Sequence, residues 1–285
     1  MKKKRTKASW KILAYDIIEK KKDDDFYKMF FCNNETIGEY GKEIIIDLLN
    51  TEDKFMTKII LNEPFRIKYL SIIYNILIRT KIEKKIFYDN IFFLSVKMSD
   101  KLIYLLRNEI NEQILQLIYF GSLYISYKFE TGKSIQSSTF ECLKDCLINA
   151  DEVKIFEITI CKLLNYNFIV SYPEDILQIF ENIEDTGKNK QLDCFCRLII
   201  KFSMFTNRLA AKKTSLIVLS AYYFGKLKLI KQFKWSYQIQ FITGYDKKQI
   251  VENIKEIIYE IKYNYNIFYN LLTNNFDNSI YNIEK

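Results

Sequence analysis

Two stretches decide the fold: Leu115-Gln-Leu-Ile-Tyr-Phe-Gly-Ser-Leu-Tyr-Ile-Ser-Tyr-Lys-Phe-Glu130 and Lys154-Ile-Phe-Glu-Ile-Thr-Ile-Cys-Lys-Leu-Leu-Asn-Tyr-Asn-Phe168. The first is an apolar run of helical length that ends in a charged step. The second sets Ile155, Ile158, Cys161 and Leu164 at helical spacing and stops short of Pro173, so both read as amphipathic helices. Working outward, Ile44, Leu48 and Leu49 follow the same spacing, as do Leu70, Ile73, Ile76 and Leu77. The two prolines stand where helices begin: Pro64 opens Phe65–Arg79 and Pro173 opens Glu174–Ile183, because a helix start has no use for the missing N–H. Junctions are expected at Asp100–Lys101, Gly132–Ser138, Asn149–Asp151 and Asp185–Asn189. Strand-length alternation is hard to find, and the chain reads as all-α.

Composition narrows the function. Of 285 residues, 7 are Gly and 2 are Pro, well below average usage, which disfavours a sandwich or barrel built on many tight turns. With 49% apolar and 16% aromatic residues, one large domain or two ordinary ones can bury a core. No His is present, which removes His-based acid/base chemistry, His-containing triads and His-ligated metal sites. The six cysteines (Cys32, Cys142, Cys146, Cys161, Cys194, Cys196) form no CxxC pair; reduced core thiols in an intracellular protein are expected, with no metal and no cofactor. The longest apolar stretch, Leu216–Gly225, reaches about half a membrane span, so no membrane partner is expected. The net charge of +8 is spread along the chain and argues only weakly for nucleic acid. Its densest run, Lys2-Lys3-Lys4-Arg5, reads either as a solvated tail or as a nuclear-import signal.

Four segments are expected: a basic tail over 1–37, a first helical half over 38–184, a second over 185–265, and a tail over 266–285. The polar break Asp185-Thr-Gly-Lys-Asn-Lys190 separates the halves, and no 34- or 40-residue period recurs within either.

Taken as a set, these pieces resemble the cyclin family. Its first box pairs a helix carrying Arg with a helix reading FLAV…DR.L, then LQL…ASK.EE, then E…L..L.w.l..P. Here these read Arg66; Phe93-Leu-Ser-Val96 with Asp100-Lys-Leu102; Leu115-Gln-Leu117 with Ile125-Ser-Tyr-Lys-Phe-Glu130; and Glu157 with Leu163, Leu164, Tyr166, Phe168 and Pro173. Glu39-Tyr-Gly-Lys-Glu-Ile-Ile-Ile-Asp-Leu-Leu-Asn-Thr-Glu52 resembles the N-terminal helix of A/B-type mitotic cyclins. Trp235-Ser-Tyr-Gln-Ile-Gln-Phe-Ile-Thr-Gly-Tyr245 resembles their W…l…TGY segment. The resemblance runs from Glu39 to Tyr263 and implies two tandem five-helix cyclin boxes with an extra N-terminal helix.

It also implies a non-catalytic activating subunit that pairs with a cyclin-dependent protein kinase, acting in the nucleus and cytoplasm. Lys128 and Glu157 match residues that hydrogen-bond the kinase's regulatory helix and its flanking loop. By chemistry alone they could equally form an internal salt bridge or snorkel at a helix end. Ile125, Phe129, Cys161 and Phe168 match an apolar pocket for a kinase side chain, Glu130 belongs to the same partner surface, and Tyr40 and Ile44 match N-terminal-helix contacts. Simple core packing predicts the same periodicity. Arg66 and Asp100 match an internal ion pair, while Trp235 and Gly244 match structural positions, the glycine as a helix C-cap at positive φ. The family's docking patch for R-x-L substrate or inhibitor peptides is degenerate: its positions read Phe65, Lys68, Tyr69 and Ile72, with Glu112 and Gln116. A Lys for an apolar contact and a Glu for an Arg predict weak or altered peptide binding. A transcription factor IIB-like or transcriptional-cyclin scaffold is the alternative, although that factor's zinc ribbon has no counterpart among these cysteines.

Overall fold

The computed structural model describes residues 41–80, 85–135, 150–183, 189–231 and 235–275, and every regular element among them is helical. Helix α1 (Gly41–Phe55) is followed by α2 (Glu63–Arg79), α3 (Lys85–Leu105), α4 (Glu112–Thr131) and α5 (Ala150–Leu163). Then come α6 (Pro173–Ile183), α7 (Lys190–Phe205), the single turn α8 (Asn207–Ala210) and α9 (Thr214–Gly225), which runs into a π-helical turn over Lys226–Ile230. The described chain ends with α10 (Tyr237–Thr243), α11 (Lys247–Tyr263) and α12 (Tyr265–Asn275). Tyr40, Cys32, Cys142 and Cys146 lie outside the described residues, and of Ile44 only the helical backbone is described.

Each half is assembled around helices that are apolar on every side. In the first, α3 is buried continuously from Ile91 to Asp100 and packs along α4, which is buried over Ile118–Ser126. The serines of α3 survive burial because Ser95 Oγ donates to Phe92 O and Ser99 Oγ to Ser95 O, both at 2.8 Å, leaving neither hydroxyl unpaired in the core. In the second half the central helix is α9, buried from Ile217 to Phe224 and flanked by α6, α7 and α11. Gly225 ends it where a Cβ would stand 2.5 Å from Leu192 Cδ1 and 3.1 Å from Phe195 Cδ1, so the Leu192 and Phe195 side chains of α7 pack directly on its backbone.

Polar and aromatic contacts join the halves. Arg66 is fully buried; its Nε and Nη2 donate to the two carboxylate oxygens of Asp100 at 2.9 and 2.7 Å, and its Nη1 donates to the Met204 carbonyl in the second half. Phe92 stacks on Phe205 with centroids 5.5 Å apart, and Lys201 reaches Asp89 at 2.8 Å.

Four expectations are corrected. Helix α6 packs against α9 and α10, so it opens the second half, and the boundary falls ahead of Pro173 instead of at 185. Its buried residues Ile176, Leu177 and Phe180 have an apolar surface to cover there. Asp100–Lys101 is no junction: α3 runs through it, because the Asp100 charge is satisfied by Arg66 and not by solvent. The C-terminal tail starts later than 266, since α12 docks on α7 through buried Leu271 and the edge-to-face pair Phe202–Phe268 at 5.5 Å. In α5, Ile155 and Ile158 face outward, 73% and 59% exposed, while Val153, Ile160 and, just past its end, Leu164 form the buried stripe.

Candidate functional site

The site is built where α4 ends beside α5. Helix α4 starts at Asn111, whose side-chain oxygen accepts from Ile114 N at 2.8 Å, and stops at Gly132, whose φ of 68° places it in the left-handed region. The Gly132 N–H donates to Lys128 O at 2.9 Å, closing the last turn and placing the Lys128 ammonium at the negative end of the helix dipole. Midway along α4, Gly121 lies against α5: a Cβ there would come within 2.5 Å of Ile160 Cδ1. Helix α5 ends with Asn165 and Tyr166 both at positive φ, and Tyr166 N donates to Cys161 O at 2.8 Å, which turns the chain back along the site.

This geometry brings Lys128 Nζ to 2.7 Å from Glu157 Oε1, with side chains 39% and 23% exposed. The ammonium also lies 5.2 Å from the centre of the Tyr124 ring. The hydrogen bond to Glu157 raises the Lys128 pKa, so the lysine is cationic throughout the physiological range. One turn beyond Glu157, Cys161 is half-buried, and burial followed by the Glu157 charge pushes its thiol up, making it a poor nucleophile at neutral pH.

Large apolar side chains stand open on the same helices and on the chain that follows α5. Phe129 is 53% exposed and meets Phe168 edge-on at 6.0 Å. Tyr166 and Ile169 stand in solvent beyond α5, as Ile155 and Ile158 do on it. Large apolar groups left open in such number mark contact surfaces. Nothing in the residue types at this face supplies a nucleophile–base pair, and among the described residues no group of three or more acidic or cysteine side chains could hold a metal ion. No described helix is long and apolar enough to cross a membrane.

Of the residues singled out from sequence, Lys128, Glu157, Phe129, Cys161 and Phe168 gather at this site. Ile125 lies beneath it, 5% exposed, as floor and not rim. Glu130, half-buried, accepts a hydrogen bond from the Tyr172 hydroxyl, which ties the end of α4 to the chain entering α6. The peptide patch is also smaller than its sequence suggests. Tyr69 is buried and stacked on Tyr119 at 5.1 Å, and Gln116 is buried as well, since both face the α2–α4 contact. Phe65 remains exposed, Ile72 is half-buried, and Lys68 Nζ stands 4.0 Å from Glu112 Oε1 in solvent. In the second half, Trp235 Nε1 donates to Gln240 Oε1 at 2.8 Å, and Gly244, at φ 72°, caps α10. Ile155, Ile158, Tyr166 and Ile169 escaped the sequence reading of the site. The signal was there: α5 carries two apolar registers, and one helix buries only one.

Comparison with known proteins agrees with this architecture. The family model for the cyclin N-terminal domain matches residues 43–169, and that for the cyclin C-terminal domain matches residues 164–267. A rice protein (Oryza sativa subsp. japonica), provisionally named cyclin-F3-2, is 24% identical over 175 residues. That match takes in 60% of this chain and 42% of the relative's length. The C-terminal match begins ahead of Pro173, where α6 turns to the second half. With two tandem domains of one family matched over most of its length, in an all-helical fold that pairs them, the chain belongs to the cyclin family.

Proposed function

We propose that the chain is the regulatory, non-catalytic subunit of a cyclin-dependent protein kinase, of the mitotic A/B type, and that it binds the kinase's regulatory helix on the α4–α5 face. The observation that carries this is the half-open Lys128–Glu157 pair at 2.7 Å, with exposed Phe129 next to Lys128 in the chain and edge-on to Phe168. An ion pair this accessible contributes about 0–1 kcal/mol to the fold, so its two charges are available to the backbone carbonyl and amide groups of an incoming helix end. Exposed apolar side chains supply most of the attraction, about 25 cal/mol for each Å² they bury on a partner.

A kinase of this class without its regulator holds that helix rotated away and the active-site Lys–Glu pair unformed. A rigid face that fits only the active arrangement shifts the population toward it by its differential affinity; moving 1:99 to 99:1 takes about 5.5 kcal/mol. The family resemblance adds Tyr40 and Ile44 to the residues that meet the kinase. The mitotic assignment is supported by the resemblances at Glu39–Glu52 and Trp235–Tyr245, and the Lys2–Arg5 run supports action in the nucleus as well as the cytoplasm. Substrate docking through R-x-L peptides is weak, because Lys68 stands where an apolar contact is needed and Glu112 where an Arg is needed. The test is a titration of a purified cyclin-dependent kinase with this chain: substrate phosphorylation rises and saturates at one equivalent. A panel of such kinases left at basal rate by a micromolar excess would contradict the assignment.

A further inference from the structure

Helix α9 is the central helix of the second half, yet its own N-cap, Lys213, makes no capping side-chain bond. The missing acceptor comes from 163 residues earlier in the chain. Glu52, near the end of α1 and only 6% exposed, accepts from Ser215 N through Oε1 at 3.1 Å and from Ser215 Oγ through Oε2 at 2.9 Å. The Tyr245 hydroxyl lies 2.9 Å from the same Ser215 Oγ, bringing the turn after α10 into the cluster. Four residues before Glu52, the Leu48 carbonyl accepts from Ser171 Oγ in the segment between α5 and α6, and Thr51 and Phe55 are buried. A helix start needs acceptors for its first N–H groups, and a carboxylate there also meets the positive end of the dipole.

We propose that Glu52 is the N-cap of α9 supplied from α1, and that this contact latches the N-terminal helix to the second half of the molecule. The latch is a positioning device: α1 is held by bonds to the linker and to α9, and α9 begins correctly only when α1 is seated. Coupling between two elements is reciprocal. Loosening α1 therefore frees the first turn of α9, and removing the acceptor's partners in α9 frees α1.

Amide hydrogen exchange on the full chain tests this. Glu52→Ala should speed exchange of the Ser215 amide about fivefold, the factor to which a typical lost N-cap converts, while the amides of Leu123 and Ser126 in α4 exchange as in the wild type. Glu52→Gln keeps a carbonyl acceptor in place and should preserve protection. Ser215→Ala should speed exchange over 48–55 in α1, and the double variant should show less than the product of the two single effects. Ser215 protection unchanged in Glu52→Ala, or single effects that multiply independently, would overturn the latch. Should Glu52→Ala fold poorly, Ser215→Ala decides it through the α1 amides, and exchange over 48–55 unchanged in that variant would overturn the latch.

Discussion

At the scale of single residues, two ion pairs of similar length have opposite meanings because their burial differs. The Arg66–Asp100 pair is sealed, with side chains 0% and 7% exposed; desolvating two charges gains little by itself, but removing one strands the other. Asp100→Ala should lower the unfolding free energy by about 3–5 kcal/mol, read as a shift of the urea midpoint. Lys128–Glu157 stands at the surface, and Lys128→Ala with Glu157→Ala should move the melting temperature by only a few degrees. Glu52 adds a pH dependence. Burial pushes its pKa up to about 7 from the ordinary 4.5, against the opposing pull of its bonds to Ser215 and of Lys213 and Lys97. A carboxyl whose folded pKa lies above its unfolded one contributes stability that is complete below about pH 4.5 and is lost as pH rises through about 7. Unfolding free energy should therefore fall between about pH 5 and about pH 8, and Glu52→Gln should flatten that slope; an unchanged slope in chemical denaturation would contradict the burial argument. Buried Lys97, whose own pKa is lowered by burial, acts in the opposite direction at higher pH, so the comparison of the two proteins isolates Glu52.

At the scale of elements, α5 explains both what was legible in the sequence and what was not. The spacing of Leu115–Glu130 and Lys154–Phe168 announces two helices, and Lys128 and Glu157 at their ends suggest a meeting. Which of two apolar registers turns inward depends on the neighbour, and here Ile160 seats its terminal methyl against Gly121 of α4. The same dependence hid Tyr69 and Gln116: helical spacing places them on a face without saying that α2 and α4 cover it. If Ile155 and Ile158 serve a partner and not the core, Ile155→Glu with Ile158→Glu should leave helicity and melting unchanged while weakening kinase binding at least about tenfold by calorimetry. A core role would instead emerge as lost stability. Helix α6 shows the same dependence, since Pro173 marks where a helix starts but not which half it joins.

At the scale of the whole molecule, the halves share polar and aromatic contacts that no local pattern reveals. Arg66 reaches Met204 O, Lys201 reaches Asp89, and Asn207 N donates to a Glu63 carboxylate oxygen at 3.1 Å. These pairings lie far apart in the chain, so sequence periodicity carries no trace of them, whereas the all-helical class was plain from composition and spacing. A molecule joined in this way should unfold in one transition, with circular dichroism and tryptophan fluorescence giving coincident urea curves; separate midpoints would mean that the halves are independent. It also means that the α4–α5 face is presented by a stiff body, as the proposed regulatory role requires. The most direct measurement is the rate at which a saturating amount of the folded Lys128→Ala, Glu157→Ala variant activates a cyclin-dependent kinase that the wild-type chain activates. The rate should drop to that of the kinase alone; activation equal to the wild type would contradict the claim that this pair is where the partner is held.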